Sequence, residues 1–180
     1  MVRLPALVLV WAMGGVRCAS RTLGHSSLLF VRHGQSEWNL SGRFTGWSDV
    51  ALTPAGCQQA AEAGELVRGL QIDAAYTSEL SRAQQTLQIL LEHARQQQVH
   101  VVTDWRLNER HYGALQGRYK QEVVDEFGVE QVKLWRNSFA VPPPPVDDNS
   151  PENPANDPKY DYVPRELLPN GECLKDTLRR

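Results

Sequence analysis

The sequence predicts one α/β domain, and two observations lead to that prediction. The chain has 180 residues, of which 41% are hydrophobic, which is enough for one domain with a substantial core. Short apolar strands alternate with helical segments, and the strand Leu28 to Val31 ends directly in Arg32, His33 and Gly34. Polar groups that follow a buried strand indicate a site at the carboxyl edge of a sheet, where open α/β folds bind ligands.

Composition excludes several other classes of protein. The net charge of -2 gives no sign of a nucleic-acid surface. The three cysteines, Cys18, Cys57 and Cys173, are too few and too scattered for a disulfide scaffold or a zinc site. No apolar run reaches the roughly 18 residues of a membrane span. These observations favour an α/β enzyme that acts on small molecules.

Residues 1–27 are interpreted as a leader separate from the fold. Arg3 precedes an apolar run from Leu4 to Val16, small residues lie near Ser20, and no acidic residue occurs before Glu37. This pattern fits a secretory signal peptide. The arginines and serines also fit an organellar transit peptide, and the remaining alternatives are a gene-model artefact or an ordinary tail. We expect a targeting segment and leave its destination open, so the localisation is uncertain.

The segment Leu28 to Asn39, LLFVRHGQSEWN, carries the strongest chemical signal. Gly34 allows a tight turn after the strand, and the backbone amides behind it can face an anion. A neutral imidazole is a nucleophile near neutral pH, and a guanidinium binds phosphate oxygens as a fork. His33 is therefore a candidate phosphoryl acceptor beside Arg32. The alternative is an ordinary strand end with a structural histidine.

The next elements follow from helix-start signals and apolar spacing. Trp38 to Asp49 reads as an ordered loop. Thr53 and Pro54 predict a helix that runs to about Gly69, with Ala60, Ala63 and Val67 on its buried face. Cys57 lies on the same face, and we interpret it as a core residue rather than a catalytic one.

A second strand, Ile72 to Tyr76, leads to a helix that we expect Thr77 and Ser78 to cap. Arg82 then falls in its first turn, where a cation opposes the helix dipole unless an anion lies nearby. We interpret Arg82 as a phosphate ligand rather than a surface charge.

The second half of the chain contains a charged loop and a Pro-rich segment. The helix that contains Arg82 is predicted to continue from Ala83 to Gln98, and a third strand, Val99 to Val102, and a further helix, Lys120 to Phe139, are predicted after it. Between them, Glu109 is either one partner of a plain ion pair or a general acid/base. The Pro-rich segment 141–158 has the composition of a linker or a polyproline ligand.

Several motifs in order resemble the cofactor-dependent phosphoglycerate mutases of the histidine phosphatase superfamily. They are RHGQSEWN, RFTGW (43–47), TSELSRAQQT (77–86), WRLNERHYGALQG (105–117) and QVKLWRNSFAVPPPP (131–145). The resemblance implies a three-layer sandwich with a mainly parallel sheet, helices on both faces and an incomplete carboxyl end. It makes 28–180 the mutase-like domain, with 141–158 as an insertion packed beside the site.

The resemblance also assigns roles to individual residues. His33 would carry the phosphoryl group, Arg32 and Arg82 would stabilise it, and Glu109 would donate and accept the substrate proton. The further substrate-binding residues would be Ser36, Asn39, Thr45, Gly46, Arg110, Tyr112, Lys120, Arg136 and Asn137. It implies 2,3-bisphosphoglycerate as primer, phosphoglycerates as substrates, no metal, no nucleic acid or membrane partner, a homodimer and a cytoplasmic location.

Two departures from the mutase pattern qualify the expected activity. The mutases carry two arginines where this chain has Arg136 and Asn137, which affects substrate affinity or choice. The second catalytic histidine of the family lies in a motif that this sequence lacks, so we expect a fragment with little or no turnover. The alternatives are a histidine phosphatase, a bisphosphoglycerate mutase or phosphatase, and a non-catalytic phosphate-binding remnant.

Overall fold

The computed structural model describes residues 6–10, 19–23 and 26–180, and it contains two compact units. The first unit, Met1–Glu37 with Val50–Asn108, contains the β-sheet and is called the sheet unit. The second, Trp38–Asp49 with Glu109–Arg180, is called the loop unit. No helix in the described ranges is long and apolar enough to cross a membrane.

The sheet unit is built on a mainly parallel sheet. Its strands within the described residues are β1 (Ala6–Val10), β2 (Ala19–Leu23), β3 (Ser26–Val31), β4 (Ile72–Thr77) and β5 (His100–Thr103). The strand order is β2-β3-β1-β4-β5. β1 is parallel to β3 and β4, β5 is parallel to β4, and β2 is antiparallel to β3. The α/β class and the mainly parallel sheet are confirmed.

Residues 1–27 contribute two of these strands. β1 pairs on one side with β3, from Ala6 opposite Ser27 to Val10 opposite Val31, and on the other side with β4. The remainder of this segment, residues 1–5, 11–18 and 24–25, lies outside the described residues. The interpretation of 1–27 as a leader stays a prediction.

Two helices cover the core of the sheet unit. α2 (Pro54–Val67) begins as predicted, with Thr53 Oγ1 accepting a hydrogen bond from the Gly56 amide at 3.1 Å. It packs against α3 (Ser81–His93). Cys57 on α2 is half-buried rather than fully in the core. The core residues shared by strands and helices are Leu29, Val31, Ala63, Val67, Ile72, Ala75, Ala83, Leu87, Leu90, Leu91 and Ala94.

The predicted cap of α3 is wrong, although the position of Arg82 is confirmed. Thr77 is the last residue of β4, and the N-cap residue is Leu80, which makes no side-chain capping bond. The Ser78 hydroxyl instead accepts a bond from the Leu80 amide at 3.3 Å and stabilises the turn before the helix. Arg82 is the second residue of α3, within its first turn.

The loop unit contains short helices and long connections. α1 (Glu37–Leu40) leads into it, and α4 (Lys120–Phe127), α5 (Val129–Asn137) and α6 (Leu174–Thr177) follow. The single helix predicted for Lys120 to Phe139 is therefore wrong, because Gly128 with φ of +82° separates two helices. The core of this unit consists of Phe44, Leu115, Val123, Val132 and Trp135.

The Pro-rich segment 141–158 packs against the loop that contains Glu109. The Pro144 carbonyl accepts a bond from the Ala114 amide at 2.9 Å, and the Glu152 carboxylate accepts one from Gln116 Nε2 at 3.1 Å. Its regular structure is one turn of 3₁₀ helix, Pro154–Asn156. These contacts give the segment a fixed place in the loop unit.

Candidate active site

His33 lies at the end of β3, held from both sides of its ring. The side chain is 4% exposed, and Nδ1 lies 2.6 Å from the Gly34 carbonyl oxygen. Because a carbonyl oxygen only accepts, Nδ1 carries the proton and Nε2 keeps its lone pair. Arg82 Nε donates to that Nε2 at 3.4 Å. Nε2 is therefore the unprotonated ring nitrogen, and its lone pair faces Arg82.

Burial and positive charge keep this imidazole neutral. Burial, followed by the charge of Arg82 and then that of Arg32, lowers the pKa of His33 from 6.5 to about 3, although the bond to the Gly34 carbonyl opposes the shift. The ring is unprotonated at neutral pH, as a nucleophile must be. The positive charges of Arg82 and Arg32 near the ring would favour the negative charge of a phosphoryl group bound to Nε2.

Arg82 is the cation that the structure brings to His33. Its side chain is fully buried, although it carries a positive charge in the first turn of α3. Burial of a guanidinium is costly unless an anion or several acceptors lie close by. Arg32 is half-buried beside the His33 ring, and Ser36, three residues after His33, is fully buried. Arg32 and Ser36 lie in the segment after β3 where the sequence predicts a phosphate site, and Arg82 reaches His33 from α3.

Close approach of two backbones shapes this turn. A Cβ atom at Gly34 would lie 2.1 Å from the Gly56 carbonyl oxygen, and a Cβ at Gly56 would lie 2.1 Å from the Gln35 carbonyl oxygen. Only glycine allows the first turn of α2 to lie against the segment after His33. Two side chains that the sequence analysis did not select, Gln59 and Thr86, hydrogen-bond to the backbone here.

Arg110 is the principal buried cation of the loop unit. It is 4% exposed and lies over the Tyr112 ring, with 4.9 Å from its Cζ to the ring centroid. Its Nη2 donates to the Tyr112 hydroxyl at 3.2 Å and to the Arg136 carbonyl oxygen. Its Nε and Nη1 are buried with no hydrogen-bond partner among the described residues. Buried donors of this kind indicate a place for an anionic ligand.

The other predicted ligands of the loop unit differ in exposure. Arg136 and Asn137 lie in the last turn of α5 with exposed side chains, and Arg136 meets Arg110 through its backbone. Lys120 is half-buried at the start of α4. Tyr112 packs on Phe44, with ring centroids 5.2 Å apart.

Glu109 is half-buried, and its backbone is fixed from two directions. Its carbonyl oxygen accepts bonds from Trp47 Nε1 at 2.6 Å and from Arg180 Nη2 at 3.1 Å. Thr45 and Gly46, just before Trp47, are buried, whereas Asn39 in α1 is half-buried. A Cβ at Gly46 would lie 2.1 Å from Gln116 Oε1. The structure thus places Trp47 of the RFTGW motif against Glu109 of the NERHYG motif, both within the loop unit.

His111 has a structural role that the sequence analysis did not assign. It is fully buried, its Nε2 donates to the Glu152 carbonyl oxygen at 3.2 Å, and its Nδ1 accepts from the Gly113 amide at 3.0 Å. Burial chiefly, and the charge of Arg180 further, lower the pKa of His111 to about 4, against the opposing effect of the Glu152 carbonyl. Both ring nitrogens are thus hydrogen-bonded to backbone groups of the loop unit, which gives His111 a structural role.

A buried ion pair supports the same loop. Arg180 Nε donates to Glu172 Oε1 at 2.6 Å, and Glu172 Oε2 also accepts from the His111 amide at 2.8 Å. The Arg180 guanidinium lies over the Trp47 ring at 5.6 Å. Only the three-dimensional packing reveals this cluster, because its members lie far apart in the sequence. Among the described residues, no group of three or more His, Cys, Asp or Glu side chains could hold a metal ion.

Comparison with known families and proteins agrees with this geometry. The family model of the histidine phosphatase superfamily (branch 1) matches residues 28–156. The chain is 48% identical over 155 residues to the 2,3-bisphosphoglycerate-dependent phosphoglycerate mutases of Borreliella afzelii (strain PKo) and Borreliella burgdorferi (strain ZS7). Each match covers 85% of this chain and 62% of the relative, so the chain spans less than two thirds of the length of these relatives.

Solved structures show the same fold. A mycobacterial glucosyl-3-phosphoglycerate phosphatase in complex with VO3 is 31% identical, with a TM-score of 0.56 over 62% of this chain and 54% of that one. The alpha-ribazole phosphatase from Shigella flexneri is 28% identical, with a TM-score of 0.53 over 63% of this chain and 54% of its own.

Proposed function

Because this chain belongs to branch 1 of the histidine phosphatase superfamily, we propose that it carries the phosphohistidine chemistry of a 2,3-bisphosphoglycerate-dependent phosphoglycerate mutase. The observation that carries the proposal is the state of His33. Its Nδ1 is held by the Gly34 carbonyl, its Nε2 faces the buried guanidinium of Arg82, and its pKa keeps it neutral. A nucleophilic nitrogen with a cation beside it is the arrangement that phosphoryl transfer requires.

The mutase reaction is favoured by the relatives of highest identity reported above. At 48% identity over most of the chain, they are named phosphoglycerate mutases, whereas the phosphatases of known structure are 28–31% identical. The proposed substrates are therefore 2- and 3-phosphoglycerate. The two small anionic groups of each, a phosphate and a carboxylate, are suited to buried guanidinium groups.

Each of the two units contains a buried cation that is suited to an anionic group of the proposed primer. Arg82 is a fully buried cation beside His33, and Arg110 has two buried donors without protein acceptors in the described part of the chain. When bound, 2,3-bisphosphoglycerate would supply the phosphoryl group that charges His33. Within the sheet unit, Arg32 and Arg82 would hold the phosphoryl oxygens; within the loop unit, Arg110 and Tyr112 are the candidates for binding an anionic group.

The proposed steps use two of these residues to make and break bonds. His33 Nε2 forms a bond to phosphorus while the phosphorus–oxygen bond of the donor breaks, and Glu109 gives the departing oxygen its proton. In the reverse direction, the substrate hydroxyl gives its proton to Glu109, its oxygen attacks phosphorus, and His33 returns to the neutral imidazole. Arg32 and Arg82 stabilise the charge that the transferring group spreads over its oxygens.

Labelling of the protein tests the proposal directly. The 180-residue chain is incubated with 2,3-bisphosphoglycerate labelled in its phosphates, and protein-bound label is tested for the acid lability and alkali stability of phosphohistidine. We expect labelling of the wild-type chain and of His100→Gln, and at most background labelling of His33→Asn. Equal labelling of His33→Asn and the wild type would refute the role of His33.

A phosphatase reaction is the second candidate, because the solved relatives named above are phosphatases. The same phosphohistidine would then pass its group to water. Chase of the labelled protein with 3-phosphoglycerate separates the two functions. Label recovered in bisphosphoglycerate supports the mutase, and label recovered only as inorganic phosphate, at a rate independent of 3-phosphoglycerate, supports the phosphatase.

A further inference from the structure

Two side chains from different helices hold the consecutive peptide groups that follow His33. The amide of Gly34 donates to Thr86 Oγ1 of α3 at 3.1 Å, and the amide of Gln35 donates to Gln59 Oε1 of α2 at 2.9 Å. No role in the chemistry has so far been given to either side chain.

The bond from Gln59 acts on His33 through one rigid plane. The Gln35 amide and the Gly34 carbonyl belong to the same peptide group, which is planar. That carbonyl is the acceptor for His33 Nδ1 at 2.6 Å. By fixing the amide on one side of the plane, Gln59 fixes the direction of the carbonyl on the other. The carbonyl direction in turn decides which ring nitrogen carries the proton.

Thr86 connects the two residues that meet at Nε2. It is fully buried, and its hydroxyl donates to the Arg82 carbonyl oxygen at 2.7 Å while accepting from the Gly34 amide. The single hydroxyl proton and one lone pair are thus both used. Thr86 ties the backbone that carries Arg82 to the peptide that follows His33. The side chains of the two residues that it links, Arg82 and His33, meet with Arg82 Nε 3.4 Å from His33 Nε2.

From this geometry we propose that Gln59 and Thr86 are positioning residues that keep His33 as the Nδ1–H tautomer with Nε2 directed at Arg82. The expected effect on phosphoryl transfer rests on the proposed function, whereas the expected tautomer of His33 does not depend on that function. The two residues act on separate peptide groups and from separate helices, so each can be tested without the other.

The test reads the tautomer by nitrogen NMR of the 180-residue chain labelled with ¹⁵N-histidine. Gln59→Leu and Thr86→Val remove the polar atoms at nearly constant size, Thr86→Ser keeps the hydroxyl, and Gln58→Leu is the matched control on the exposed face of α2. We expect one dominant Nδ1–H signal for His33 in the wild type, Gln58→Leu and Thr86→Ser. Gln59→Leu and Thr86→Val should show mixed tautomers.

Phosphorylation by 2,3-bisphosphoglycerate is measured on the same samples. We expect Gln59→Leu and Thr86→Val to slow labelling by about 10- to 100-fold, because small misplacements of a reacting group cost that much, and Thr86→Ser to restore most of it. Both substituted proteins retaining a single Nδ1–H signal would overturn the proposal. If the wild type is not labelled at all, the proposed function fails, and the NMR signals still decide the tautomer. If the Thr86→Val protein does not fold, the tautomer signal of the Gln59→Leu protein alone decides the proposal.

Discussion

The guanidinium of Arg110 is buried. Within the described residues, its Nη2 makes hydrogen bonds, whereas its Nε and Nη1 have no hydrogen-bond partner. Such an arrangement reduces stability in the free protein, because each unsatisfied buried donor costs about 1–3 kcal/mol. A bound carboxylate or phosphate would satisfy the remaining donors. We therefore interpret Arg110 as a residue kept for binding at the expense of folding stability.

Replacement of Arg110 by methionine tests this interpretation. Loss of charge-assisted hydrogen bonds should weaken binding of 2,3-bisphosphoglycerate by about 10- to 100-fold, corresponding to roughly 1.5–3 kcal/mol. The free energy of unfolding should stay constant or rise, because the unsatisfied donors are removed. Calorimetric titration and urea unfolding measure the two effects. Arg106→Met, at an exposed arginine, is the control, and unchanged affinity in Arg110→Met would contradict the interpretation.

At the same scale, the sequence indicates the candidate site residues more readily than the side chains that hydrogen-bond to the backbone around them. Arg32, His33 and Arg82 carry recognisable chemistry at recognisable positions, a strand end and a helix start. Gln59 and Thr86 act on backbone amides, and any polar side chain at those positions would look the same in the sequence. Their role depends on the close approach of Gly34 to α2, which is a property of packing rather than of pattern.

Among the elements, the break between α4 and α5 shows where periodicity misleads. Apolar spacing continues from Lys120 to Phe139, which predicts one helix, but Gly128 has φ of +82° and ψ of 154°. This backbone conformation is almost restricted to glycine. The start of α3 differs for a related reason, since Thr77 remains in β4 and Ser78 stabilises a turn. In both cases local polar or glycine geometry overrides the spacing of apolar residues.

Gly128→Ala therefore should destabilise the chain, although alanine favours helix. A Cβ at this position meets nothing within 4 Å, so the cost comes from the backbone conformation alone and should be about 1–3 kcal/mol. Gly69→Ala is the matched control, because its Cβ also meets nothing and its φ is outside the left-handed region. Urea unfolding should show a loss for Gly128→Ala and little change or a small gain for Gly69→Ala. Equal stability of the two variants would contradict the argument.

For the whole molecule, the fold class follows from the sequence but the strand order does not. The apolar residues of the first 27 predict a leader, which stays a prediction, and their pattern does not indicate that Ala6–Val10 pairs between β3 and β4 in the sheet. A short apolar run has the same composition in a parallel strand as in a targeting segment. Pairing over long sequence distances is decided by the complete sheet, so local pattern cannot assign it.

The pH dependence of stability is a property of the whole molecule to which two buried histidines contribute above pH 5. His33 and His111 have pKa values lowered from 6.5 to about 3 and about 4. Between these values and 6.5, the unfolded chain binds protons that the native state refuses, so the free energy of unfolding falls as pH falls. Each ring contributes a slope of up to about 1.4 kcal/mol per pH unit below 6.5, and the stabilisation is fully present above that pH.

Urea unfolding between pH 5 and 7.5 should show this loss on the acidic side. Besides burial, two groups act on the pKa of His111: the charge of Arg180 lowers it, and the bond to the Glu152 carbonyl opposes the shift. His111→Gln should reduce the slope by about half, because one of the two rings no longer titrates, whatever its effect on stability at neutral pH. His100→Gln, at an exposed histidine of β5, should keep the wild-type slope. If His111→Gln leaves the slope unchanged, the His111 ring takes up a proton equally in the folded and unfolded states. The prediction would then be wrong. A protonated Nδ1 cannot accept the bond from the Gly113 amide, so that bond could not persist in the folded protein below pH 6.5.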